Sequence, residues 1–200
     1  MIRHLPLLLI AAATPALAQM PGSPATPAAA GMYTVDSRHT QAIFAISHFG
    51  FSDFYGIIPN ATGTLALDPA NAANDKLDVT LPVSAISTTN AVLDGELKSA
   101  DWLDAGKFPE IRYTSTKVTQ TGAHTARIEG MLTMHGVTRP VTLDAALTGV
   151  GNNPMTKATT VGFSATGTLH RSEFGVTKYA PNIIGDEVKL TITAAFAKQG

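Results

Sequence analysis

Strict alternation of apolar and polar residues runs through most of this chain, and few folds can satisfy it. Leu77, Val79, Leu81 and Val83 fall on one side of a run whose other side is Asp78, Thr80 and Ser84. Val141, Leu143, Ala145 and Leu147 alternate with Thr142, Asp144 and Thr148. Val161, Phe163, Ala165 and Leu169 repeat the pattern, and so do Val188, Leu190, Ile192, Ala194 and Phe196. Shorter runs group Phe44, Ile46 and His48, then Leu65 and Leu67, then Ile128, Leu132 and Met134. Successive side chains of a strand point to opposite faces, so each run reads as a strand with one buried and one solvated face. Such strands are usually antiparallel. Abundant Thr favours strands, and 17 Gly and 12 Pro supply turns.

One stretch breaks the alternation. Asn90 to Gly106 is rich in Ala, Leu, Glu and Lys and predicts one or two short helices, with Ser99 capping the second and Gly106 ending it. Turn signals fall at Asp68-Pro69, Thr121-Gly122, His135-Gly136 and Gly149 to Pro154. An all-β chain of about eight antiparallel strands with a helical insert near 90–106 folds as a sandwich or a closed barrel. Closure hides one face and removes exposed edges. An eight-stranded barrel is either filled by its own side chains or holds one ligand, and periodicity alone leaves both open.

The N-terminus predicts export. Arg3 and His4 precede an apolar run from Leu5 to Leu17, and Ala16-Leu17-Ala18 is a small-x-small cleavage pattern. Residues 1–18 read as a Sec-type signal peptide, with Gln19 as the first mature residue and a periplasmic destination. Pro6 and Pro15 interrupt the run, which is shorter than the roughly 20 residues a spanning helix needs. Residues 19–31 are rich in Pro, Ala and Gly and read as a disordered linker. The β domain spans 32–200.

Composition narrows the chemistry. The formal net charge is -1, from 14 Lys+Arg against 15 Asp+Glu, which gives no footprint for nucleic acid. The absence of cysteine removes disulfides, thiol nucleophiles and thiolate metal sites. No phosphate loop, dinucleotide fingerprint, nucleophile elbow or zinc-protease motif is present. The His residues at 4, 39, 48, 124, 135 and 170 lack metal-ligand spacing, although His39 and His48 could meet in space. No metal and no cofactor are expected. His48 shares a face with Phe44 and Ile46, so it is either a core histidine bonded to a backbone carbonyl or a polar group on a pocket wall. Phe49, Phe51, Phe54 and Tyr55 cluster between two strands, as core or as the mouth of an apolar cavity.

The order of motifs is more specific. Ser37-Arg38-His39-Thr40, then Phe44 to Gly50, resembles the opening of the YceI-like family. Leu93 to Asp104 and Lys107-Phe108-Pro109-Glu110-Ile111 are similar to its helical segment and following strand entry. Gly130-Met131-Leu132-Thr133-Met134-His135-Gly136-Val137-Thr138-Arg139-Pro140-Val141 resembles its most distinctive strand-turn-strand. Gly162-Phe163, His170 to Gly175 and Gly185 to Val188 resemble its C-terminal third, so the likeness covers about Tyr33 to Lys198. Glu96 stands where many members carry His, and Trp102 where Phe is usual. The first departure bears on head-group preference and the second on cavity width.

The resemblance implies an extended lipocalin-like barrel whose lumen holds a long isoprenoid chain: a polyprenol, a polyprenyl phosphate or an isoprenoid quinone. It implies an exported binding protein and not an enzyme. On that basis the candidate apolar lining is Phe44, Ile46, His48, Phe49, Phe51, Phe54, Leu97, Trp102, Leu132, Met134, Phe163, Phe174 and Leu190. Arg38, Lys98 and Arg171 lie in the matched motifs and are head-group candidates. Arg171 has the alternative of pairing with a carboxylate at a strand end. A quinone head would need only a donor such as His48 or Tyr113. Expected partners are the lipid, a membrane in transient contact, and a second copy through the outer face. The competing readings are an enzyme using His39, His48 or Asp36 as acid/base, and a filled β scaffold without a ligand.

Overall fold

The computed structural model describes residues 22–199. The expected signal peptide, residues 1–18, lies outside the described residues. Ten strands and one helix follow in the order β1 (Gly31–Val35), β2 (Gln41–His48), β3 (Ser52–Ile58), β4 (Thr62–Leu67), β5 (Lys76–Pro82), α1 (Ala91–Lys98), β6 (Glu110–Gly122), β7 (Thr125–Met134), β8 (Val137–Asn152), β9 (Thr159–His170) and β10 (Ile184–Lys198).

The ten strands fill eight positions of a closed antiparallel barrel. One edge of β10 pairs with β9. Its other edge pairs with β2 as far as Thr193, then with β1 from Phe196 to Lys198. Thus β1 and β2 share one position, interrupted at 36–40. Since β3 pairs with β2 and β4 with β1, they share the next. Ladders β4–β5, β5–β6, β6–β7, β7–β8 and β8–β9 complete the wall. The expected eight-stranded barrel is what the chain forms.

Local chemistry fixes the connections. Met134 pairs with Val137, leaving a two-residue loop in which His135 and Gly136 both have positive φ, 51° and 75°. That is the hairpin turn whose twist matches the strands it joins. The Asn90 side chain accepts hydrogen bonds from Val92 N–H at 3.0 Å and Leu93 N–H at 3.4 Å and starts α1. A second helix does not form. Ser99 closes α1 instead of capping a successor. Asp104 adopts a left-handed φ of 46°, which stops a helical repeat, and Trp102 is buried against the barrel.

Two further expectations need correction. Strand β8 runs on through Gly149 to Asn152. The reversal comes at 153–158, where the Asn153 carboxamide oxygen accepts from Met155 and Thr156 N–H. Residues 22–30 are not a disordered linker. Ser23 exchanges two backbone hydrogen bonds with Val150, 3.2 and 3.0 Å, and Tyr33 donates its hydroxyl proton to Ala29 O at 2.7 Å. Pro and Ala lack the charge that keeps a linker in water, and the segment lies over one end of the barrel, with Ala28 packed against the core cluster of Tyr33, Leu65 and Val150.

Candidate functional site

Inward side chains of β2 to β10 meet in one lumen with a cavity of about 1040 Å³. Its walls are the predicted buried faces: Leu77, Val79 and Leu81 on β5, Leu143, Ala145 and Leu147 on β8, Val188 to Phe196 on β10. Glycines on inward positions admit large neighbours. Gly56 lies opposite Phe44, and a Cβ there would stand 2.2 Å from the Phe44 ring. Gly130 does the same for Tyr113, whose hydroxyl lies 3.1 Å from both Ile128 O and Val141 O and shares its one proton between them. Burial, with the Glu129 charge behind it, pushes the Tyr113 phenol far up, so it stays a neutral donor.

Polar side chains gather at the two ends. Call upper the end with α1 and the β2–β3 turn: His48, Glu96 and Arg171 line it. At the lower end stand Asp68, Asp75, Gln120 and His124, covered by Pro24 to Ala28. Between them the lining is mainly aliphatic and aromatic, interrupted by the Tyr113 hydroxyl and by Thr40 and Gln41 at the start of β2.

Arg171 is 3% exposed. Its Nε donates to Gly185 O, one terminal nitrogen to Val176 O and Lys178 O, and the other to Ile184 O, all at 2.8–2.9 Å. Its guanidinium carbon lies 5.4 Å from the centre of the Trp102 ring. Burial lowers its pKa and the Asp186 charge partly opposes this. Arg171 therefore neither stands free for a head group nor pairs with a carboxylate. It clamps the loop between β9 and β10 through backbone carbonyls.

Of the predicted lining, Phe44, Ile46, His48, Phe49, Phe54, Leu97, Trp102, Leu132, Met134, Phe163 and Leu190 face the cavity. Phe174 does not: it is wholly buried in the wall beneath the loop that Arg171 clamps. Phe51 does not either: it projects into solvent, 91% exposed. His48 is no core residue; it is exposed at the upper rim, with its ring edge-on to Phe49 at 4.6 Å. Arg38 is exposed in the β1–β2 connection, and Lys98 in the last turn of α1 is also outside the lining. His39 precedes β2 and His48 ends it, and the strand between them, Gln41 to His48, alone spans roughly 23 Å. They do not meet, and His39 pairs with Asp36 at 2.7 Å away from the cavity. Sequence reasoning missed Pro24 to Ala28, Tyr179 and Ile183 as lining, because none lies on an alternating run. It placed Leu81, Val188 and Ile192 on buried faces without naming them as lining, and it did not single out Ile58.

A closed barrel around a hollow apolar lumen defines a lipocalin-like container, a fold built for binding. The YceI-like domain model matches residues 33–196, and the chain belongs to that family. It is 38% identical to the protein YceI of Salmonella arizonae over 152 residues, covering 75% of this chain and 78% of that relative. The crystal structure of the Campylobacter jejuni YceI protein superposes with a TM-score of 0.69 at 28% identity, covering 78% of this chain and 91% of that one. A polyisoprenoid binding domain from Saccharophagus degradans shares the fold alone, with a TM-score of 0.63 at 10% identity, covering 84% and 98% of the two chains.

Proposed function

We propose that the lumen binds one long isoprenoid lipid without chemical change, and that the protein carries or buffers it in the periplasm. The observation that carries this reading is the lining: an apolar tube whose charged groups lie at its ends. Its volume sits at the upper limit of the roughly 300–1,000 Å³ typical of small-molecule pockets, which favours an extended cargo. The Saccharophagus neighbour is itself a polyisoprenoid binding domain, and that supports the same class. The N-terminal export pattern supports the compartment.

Energetics point to exchange instead of extraction. Burying each CH₂ gains about 0.8 kcal/mol relative to water. Summed over a long tail this passes the roughly -20 kcal/mol that limits non-covalent binding. Cargo that starts in a bilayer is already solvated, so net transfer is nearly balanced. Such balance suits a shuttle. Polyprenol, polyprenyl phosphate and isoprenoid quinone share the tail and differ at the head, which Glu96, His48 and Trp102 would face.

The test is extraction. Protein purified without detergent from a bacterial periplasm is extracted with organic solvent, and the extract is compared with a mock purification by mass spectrometry. A stoichiometric isoprenoid is the expected result. An empty protein that also refuses added polyprenol overturns the reading.

A further inference from the structure

Exposed apolar side chains concentrate around the upper end of the lumen. Phe51 tips the β2–β3 turn with Phe49 beside it, and both project from the barrel. The turn is anchored: Phe49 N–H donates to Ile183 O at 2.7 Å. Ile183 and Tyr179 are exposed on the same loop, and Val92 stands out from the first turn of α1. Phe49, Tyr179 and Ile183 also line the cavity, so the patch is continuous with the lumen wall. The solvent-facing lining at the lower end is different in kind: Gln120, His124 and Thr26 stand beside the small Pro24, Ala25 and Pro27, with no exposed aromatic side chain among them.

We propose that this aromatic rim docks on a lipid bilayer, Phe51 and Phe49 inserting into its interface, and that cargo passes between bilayer and lumen through the upper end. The proposal rests on the lipid-carrier reading. Three features select a bilayer as the occupant. The apolar groups sit on protruding turns around an entrance instead of on a flat face. A protein seated there would cover the entrance, whereas a bilayer is the phase in which the cargo dissolves, so the tail need never cross water. Finally, Lys178 is paired with Asp101 at 2.7 Å and Lys189 with Asp53 at 3.2 Å. Those cations are already neutralised, and the Lys98 charge on α1 falls on the nearby Asp94 carboxylate, so the attraction is apolar and needs neither anionic lipid nor low salt.

Two measurements separate docking from cargo binding. The protein, its N-terminus verified by mass spectrometry, is floated with vesicles of phosphatidylcholine and phosphatidylethanolamine. Cargo uptake is read separately, with polyprenol delivered from solvent, through the fluorescence of Trp102, the single tryptophan. Phe51 lines nothing, so Phe51→Ser should cut vesicle binding about tenfold and leave polyprenol uptake unchanged. Val92→Ser should act in the same direction. Met155, equally exposed in the β8–β9 turn, serves as control, and Met155→Ser should float like wild type. Flotation should survive high salt. Docking is overturned if wild type takes up polyprenol yet does not float, if Phe51→Ser and Val92→Ser float normally, or if salt abolishes flotation. It is overturned too if sedimentation shows that Phe51 instead holds two copies together. A protein that floats through Phe51 but takes no polyprenol supports docking and sinks the cargo reading alone.

Discussion

Replacing Arg171 by Met would leave four carbonyls, those of Val176, Lys178, Ile184 and Gly185, without their donors. Unpaired buried acceptors are expensive, and a loss on the order of 3 kcal/mol is expected in a urea titration. Arg171→Lys keeps the charge but not the planar fork, so it should recover less than half of that. Full recovery with Lys would refute the clamp. A second residue gives a pH signature. The Arg112 guanidinium holds Asp78 in a two-pronged pair and keeps its carboxyl below the usual carboxylate range. A depressed carboxyl stabilises the fold above its unfolded pKa, about 4, and that stability is lost as pH falls through the folded pKa. Asp78→Asn should therefore lower the urea midpoint at neutral pH and bring it level with wild type in acid. Both side chains are partly exposed, so the effect is small. Arg171 was legible in the sequence as a residue of interest, but not its role. Its acceptors lie in the non-alternating stretch between β9 and β10, where periodicity places nothing.

Phe44 and Gly56 form a unit on facing strands of the β2–β3 pair. The three atoms nearest a Cβ at position 56 all belong to the Phe44 ring. Gly56→Ala should destabilise by about 1–3 kcal/mol through overpacking. Phe44→Leu in the same chain should restore most of it, measured by thermal unfolding. Equal destabilisation in the single and double variants would show that the clash lies elsewhere. Among the elements, the long strands were readable in their alternating middles, which keep one face in and one out, while the ends of β8 and β10 ran past the alternation. The helical insert was half readable. Asn90 marked its start, but the return of the chain through Asp104 depends on where Trp102 finds a buried seat. The segment 22–30 was unreadable from composition, since Pro and Ala describe a linker and an apolar cover equally well.

At the scale of the whole molecule, the wall encloses an apolar cavity of about 1040 Å³, and the protein's stability should depend on its contents. A cargo that binds only the folded barrel adds about 2.7 kcal/mol when present at a hundred times its dissociation constant. Delipidated protein should melt below loaded protein, and added polyprenol should raise Tm in proportion to the logarithm of its concentration. Identical melting curves would mean the lumen stays empty. The hollow itself was implied by the family resemblance and not by periodicity. Alternation is satisfied equally by a filled barrel, and only the balance of Phe44, Tyr113 and Phe163 against Ala145, Ala165 and the inward glycines leaves room inside.

The route by which the wall closes has its own consequence. Strand β10, last of the described strands to be synthesised, holds β9 on one side and both β2 and β1 on the other. Until it arrives, the sheet is a trough with a slot along its length and two unpaired borders, each a template for a neighbouring chain. The interior does not narrow gradually around a guest. It is created in one late event, when a single ribbon of 15 residues zips both borders together. The interior therefore has no counterpart in the growing chain, which exposes both borders until that ribbon is free.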